Sequence, residues 1–178
     1  KYISIPCEEL KNENNVFDVD VTKLIINVNN SGITGKQLGD ILRYKYNIEV
    51  EMDSLKYVLG ITTICDDYKE LERLAEALKE IDKSLEEKQN ENISVELLKN
   101  KRMYSIYETD LKEKNTVNLF DSKDCISGEF VFLYPPGIPL VVPGEVITEE
   151  LLEQIKVYLE ANMNISGLKD NSNKTIEV

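Results

Sequence analysis

Four prolines packed into twelve residues constrain this chain more than any other feature. They are Pro135, Pro136, Pro139 and Pro143, within a stretch that runs from Tyr134 to Glu145 and reads Tyr-Pro-Pro-Gly-Ile-Pro-Leu-Val-Val-Pro-Gly-Glu. Each ring fixes φ and removes a backbone donor, and the residue ahead of each is pushed out of the helical region. The stretch can therefore be neither a helix nor a central strand. Yet Ile138, Leu140, Val141 and Val142 are apolar and favour burial. Both demands are met by a stiff, extended, apolar connector that runs through the protein and leaves Glu145 little freedom. The competing reading is a rigid linker or a ligand for a proline-binding module, since Pro136-x-x-Pro139 matches a minimal polyproline pattern. Apolar residues on both sides argue against it.

Length and charge narrow the rest. At 178 residues there is room for one domain or two small ones. The net charge of −12 disfavours a nucleic-acid partner, which needs a basic face, and an anionic membrane surface. No run approaches the roughly 18 apolar residues of a membrane span, and no secretory signal is visible. Cys7, Cys65 and Cys125 are odd in number and far apart, which reads as free thiols in a reducing, cytoplasmic setting. Histidine is absent, so Ser-His-Asp and Cys-His catalysis and the usual zinc sites are excluded, and no metal is expected. The chain opens at Lys1 in what reads as the middle of a structured protein, so a fragment is expected.

Periodicity then predicts the elements. Asp18 to Val21 alternates like an edge strand; the Asp18 and Asp20 pair reads as a solvated strand face rather than a metal site. Lys23 to Val28 is a strand. Asn29 to Gly32 is a turn. Thr34 with Gln37 forms a capping box ahead of a helix whose apolar face holds Ile33, Leu38, Ile41 and Leu42. The Gly32-Ile33-Thr34-Gly35-Lys36 run looks superficially like a phosphate loop, but its spacing fails and Gln37 replaces the metal-binding hydroxyl. Ile48 to Met52 and Tyr57 to Thr63 are strands around a turn at Asp53-Ser54. Asp66 or Asp67 caps a long helix carrying Tyr68, Leu71, Leu74, Ala75, Leu78, Ile81 and Leu85 on one face. Glu86 to Asn92 is a polar boundary. Beyond it come a short helix at Val95, Leu97 and Leu98, a segment of undecided type at Lys101 to Thr109, and strands at Val117 to Phe120 and Glu129 to Leu133. A Thr148-capped helix and short final strands at Ile165 to Leu168 and Thr175 to Val178 complete the chain.

No catalytic constellation stands by itself. Glu145 is singled out because a stiff segment precedes it and a helix cap follows it. A carboxylate fixed in that way suits recognition of a cationic group, while a local salt bridge or cap accounts for it equally well.

The Tyr134 to Glu145 motif, followed by Ile147-Thr148, resembles the signature near the carboxyl end of the bacterial ornithine/lysine/arginine decarboxylases. The lead-in Ile126-Ser127-Gly128-Glu129, the Gly32 to Gly35 entry and the Asn47 to Glu51 strand are similar as well. The chain departs from the pattern at Asp121 to Gly128, where many members carry a more apolar, alanine-rich run. The resemblance implies an α/β fold: residues 1–90 as the small domain of the fold-type-I pyridoxal-phosphate enzymes, and residues 91–178 as the decarboxylase C-terminal domain. It implies that the full-length protein uses pyridoxal phosphate to release carbon dioxide from arginine, lysine or ornithine, giving a polyamine or its precursor. It also implies a homodimer or higher oligomer. The family's cofactor lysine sits in a Ser-x-His-Lys motif that a chain without histidine cannot contain, so no catalytic or cofactor-binding residue is expected here and the fragment should be inactive. By motif position Glu145, Glu129 and Tyr134 become the candidates to line the substrate site. The alternative is a non-catalytic interaction or regulatory domain derived from such an enzyme.

Overall fold

The computed structural model describes residues 2–6, 10–11, 16–28, 31–85 and 98–178. Two compact units divide the chain, Lys1–Ile93 and Ser94–Val178.

The first unit is a three-stranded antiparallel sheet with two helices. Strands β1 (Lys23–Asn27), β2 (Met52–Asp53) and β3 (Tyr57–Ile61) lie in the order β1-β3-β2, with Lys23 opposite Ile61 and Met52 opposite Leu59. Helix α1 (Gly35–Tyr46) starts with the expected capping box between Thr34 and Gln37 and ends at Asn47 in the left-handed region. Its first two N–H groups donate to the carbonyls of Leu55 and Ser54, both at 3.0 Å. Those donors are thus spent within the fold, and the phosphate-loop likeness has no chemistry behind it. Gly35 makes this approach possible, since a Cβ there would lie 2.2 Å from the Tyr57 carbonyl oxygen. Helix α2 (Tyr68–Ser84) is capped by Asp67 with Glu70, while Asp66 closes the preceding turn by accepting from the Thr63 N–H at 2.6 Å. Ile26, Val28, Leu38, Leu42, Val58, Ala77, Leu78 and Ile81 form the core.

Three expectations in this unit need correction. Asp18 to Val21 is not a strand: the two carboxylates bind nearby backbone N–H groups, Asp18 that of Val19 and Asp20 that of Thr22, and the chain turns at Val21 and Thr22. The Ile48 to Met52 strand shrinks to Met52–Asp53, because the Ile48 N–H is drawn back to the Leu42 carbonyl at the end of α1. Asp53 consequently belongs to the strand rather than to the turn. Asn29, Asn30, Cys7, Val95 and Leu97 lie outside the described residues.

The second unit is built on α4 (Glu149–Glu160), capped by Thr148 as expected. Its buried face, Leu151, Leu152, Ile155 and Tyr158, joins Leu119, Val131, Val141, Ile147, Met163, Ile165 and Ile176 in the core. Strands β5 (Val131–Leu133), β6 (Ile138–Val141) and β7 (Ile165–Ser166) form a sheet in the order β6-β5-β7, and β4 (Thr116–Asn118) pairs with β8 (Thr175–Glu177). The undecided segment contains α3 (Ile106–Asp110), with a capping box between Ser105 and Glu108. The Val117 to Phe120 strand gives way to a 3-10 turn after Asn118, whose side chain accepts from the Phe120 N–H.

The proline-rich stretch also departs from expectation. It does not run through the interior as one connector. Tyr134 to Gly137 turns the chain at the surface, and β6 returns antiparallel to β5 as an edge strand. An edge is where a strand tolerates a proline such as Pro139. Burial begins only with Val141, which is fully enclosed, whereas Ile138 remains 40% exposed. A turn also removes the extended polyproline conformation, since Gly137 lies between the two prolines of the Pro136-x-x-Pro139 pattern with φ +101°.

Candidate functional site

Glu145 sits where three backbone segments of the second unit meet. The Met103 N–H donates to the Gly144 carbonyl (2.8 Å), the Ser127 N–H to the Glu145 carbonyl (2.8 Å), and the Val146 N–H to the Lys101 carbonyl (2.9 Å). Gly144 makes the crossing possible: its φ is +91°, and a Cβ would stand 2.2 Å from the Tyr104 carbonyl oxygen. The Glu145 side chain is itself held. Its Oε2 accepts from the Val142 N–H at 3.2 Å and from Asn100 Nδ2 at 3.3 Å. Its Oε1 has no partner among the described residues.

Asn100 was not legible in the sequence, where nothing marks one asparagine in a polar segment. Besides Glu145 it gives Nδ2 to the Leu140 carbonyl at 2.7 Å. Its Oδ1 is buried and unpartnered among the described residues, an arrangement that costs about 1–3 kcal/mol.

Glu129 is used differently. It is 6% exposed, and each carboxylate oxygen accepts a backbone N–H at 2.8 Å, Oε1 from Lys169 and Oε2 from Glu177. Ser127 tightens the same turn by donating Oγ to the Glu129 carbonyl at 2.7 Å. Each oxygen of the carboxylate is thus engaged by the chain's own backbone. Tyr134 stands at the hairpin, 56% exposed, and its N–H donates to the Asn164 carbonyl at 3.0 Å.

A groove of about 230 Å³ includes Glu129 with Ile106, Phe130, Lys114, Lys169 and Glu177 among its lining residues; Glu145 and Tyr134 are not among them. Among the described residues this groove therefore takes in Glu129 without the other two candidates. The groove's charges are paired. Lys169 Nζ lies 2.5 Å from Glu177 Oε1 and Lys114 Nζ lies 3.4 Å from Asp110 Oδ1. The Lys169 ammonium is held above its ordinary range, chiefly by the hydrogen bond to Glu177. Beside the groove, the Asp170 carboxyl is held well below its ordinary range, first by the Ser172 hydroxyl and then by backbone N–H groups.

These residues do not fit pyridoxal phosphate. An amine that condenses with an aldehyde must give up its proton, which needs desolvation or a neighbouring cation. Lys169 and Lys114 have carboxylates instead. No cofactor chemistry is assigned to them. Among the described residues no three potential metal ligands come together, and no helix is long and apolar enough to cross a membrane.

Residues 86–171 match the family model described as Orn/Lys/Arg decarboxylase, C-terminal domain. The chain is 37% identical over 165 residues to an arginine decarboxylase of Bacillus subtilis (strain 168), covering 91% of this chain and 34% of that protein. It is 31% identical over 181 residues to an arginine decarboxylase of Bacillus anthracis, covering 100% of this chain and 37% of that protein. Among solved structures its fold is similar to that of the Francisella novicida lysine decarboxylase (TM-score 0.72, 17% identity, 100% of this chain and 36% of that one). It is also similar to the constitutive lysine decarboxylase of E. coli (TM-score 0.70, 16% identity, 99% and 34%). The structural likeness carries the mixed α/β fold. The chain spans about a third of the length of the relatives it matches. Along residues 86–171 by family model, along most of its length by sequence and across its fold, the chain is similar to the C-terminal region of the Orn/Lys/Arg decarboxylases.

Proposed function

We propose that the chain is the C-terminal part of a pyridoxal-phosphate-dependent decarboxylase acting on arginine, lysine or ornithine, in which carbon dioxide leaves and a polyamine or its precursor remains. The observation that carries this reading is the 37% identity to an arginine decarboxylase across 91% of the chain. The cofactor and its lysine belong to the remainder of the polypeptide, so the chain alone has no turnover. The enzyme works in the cytoplasm as a homodimer or higher oligomer, with neither nucleic acid nor membrane as partner.

Within the chain, Glu145 is the residue for a cationic side chain. Its Oε2 is tied down by two donors while its Oε1 has no partner among the described residues, whereas each oxygen of Glu129 already accepts a backbone N–H. Glu129 therefore contributes by holding the frame, and exposed Tyr134 by shaping the approach.

The test is carbon dioxide release by the full-length protein, supplied with pyridoxal phosphate, on arginine, lysine and ornithine in turn. Release from one of them supports the reading and names the substrate. Absence of both release and bound cofactor overturns it in favour of an interaction domain. Glu145→Gln should raise KM for the cationic substrate, and unchanged kinetics would remove Glu145 from the site.

A further inference from the structure

We propose that Asn100 is a positioning residue for Glu145, setting that carboxylate in the one orientation in which Oε1 can meet a guanidinium or ammonium group. This rests on the reading of Glu145 given above.

The geometry leaves the Asn100 amide a single way round. Both groups facing its Nδ2 are acceptors, the Leu140 carbonyl at 2.7 Å and Glu145 Oε2 at 3.3 Å. A flipped amide would set oxygen against oxygen at both contacts. The Oδ1 end is then left buried without a donor among the described residues. Fastening β6 needs only the bond to Leu140. The second proton goes to Glu145, onto the same oxygen that the Val142 N–H reaches at 3.2 Å. Two donors converging on Oε2 rotate the carboxylate and leave Oε1 without a partner among the described residues. A cation then meets an acceptor whose side-chain freedom is already spent, so less is lost on binding. A buried acceptor without a donor is the kind of local inconsistency that accompanies a functional constraint.

The test uses the full-length protein and the basic amino acid it decarboxylates. Asn100→Leu should raise KM about tenfold, the scale of one hydrogen bond to a charged group, with a much smaller change in kcat. Asn100→Ala removes the donors without adding a charge, so it should move KM the same way; it decides the matter alone if the leucine variant does not fold. Combined with Glu145→Gln, either variant should add almost nothing to the effect of Glu145→Gln alone. A residue that merely supported the fold would add its effect in full, and that outcome overturns the proposal. So does an unchanged KM in both Asn100 variants when Glu145→Gln raises it. If Glu145→Gln itself leaves KM unchanged, the reading of Glu145 falls and this inference with it.

Discussion

Glu129 and Asp170 show two ways a carboxylate can serve a turn. Glu129 is buried and divides its oxygens between the backbone of Lys169 and that of Glu177, 40 and 48 residues further along. Glu129→Ala leaves both donors without an acceptor, and the expected loss is about 3 kcal/mol in a denaturant titration. A loss below about 0.5 kcal/mol, the range of an ordinary surface substitution, would show that Glu129 is not a clamp. Asp170 is half-buried and accepts from Ser172, Lys174 and Thr175. Its folded-state pKa is lowered from the ordinary 3.8. Its contribution to stability is therefore complete above that value and is lost as pH falls through the lowered one. Carboxyl titration by NMR should place the Asp170 midpoint below the ordinary range, and the Asp170→Asn variant should show a shallower loss of the β8 pairing in acid.

At the scale of elements, Gly144 bears the most weight. An alanine there would meet the Tyr104 carbonyl at 2.2 Å with φ at +91°, and Gly144→Ala should cost about 3 kcal/mol or more, measured by thermal or denaturant unfolding. Alanine at Gly137, which also has positive φ but meets nothing within 4 Å, should cost less. The elements legible in the sequence were those whose signals are local. The capping boxes of α1 and α2 and the Thr148 cap of α4 rest on residues three or four apart, and all three formed. What escaped was set by distant partners. The hairpin at Tyr134 to Gly137 depends on β5 taking β6 back as its edge, and proline content alone does not choose between a connector and a turn. The site divides in the same manner. Glu145 could be singled out from its neighbours in sequence, while Asn100, 45 residues earlier, enters only through space. The occupied oxygens of Glu129 follow from residues 169 and 177, which no pattern near Glu129 announces.

For the whole molecule, charge and length bear on activity. A chain of net charge −12 without histidine, spanning about a third of its relatives, has its groove lysines engaged by carboxylates. Incubated with pyridoxal phosphate and arginine, lysine or ornithine, the 178-residue chain should release no carbon dioxide; release above the cofactor-only control would show that the catalytic lysine is here after all. One further consequence follows from the Glu129 clamp. Its partner at Glu177 lies 48 residues downstream, and β4 likewise pairs with β8. At about 5–20 residues per second of synthesis, the ribosome delivers that partner roughly 2–10 seconds after Glu129. During that interval a charged side chain destined for the interior stands open to water beside unsealed Val131 and Leu133. The clamp and the β4–β8 pairing of the second unit can therefore close only once residue 177 has left the ribosome.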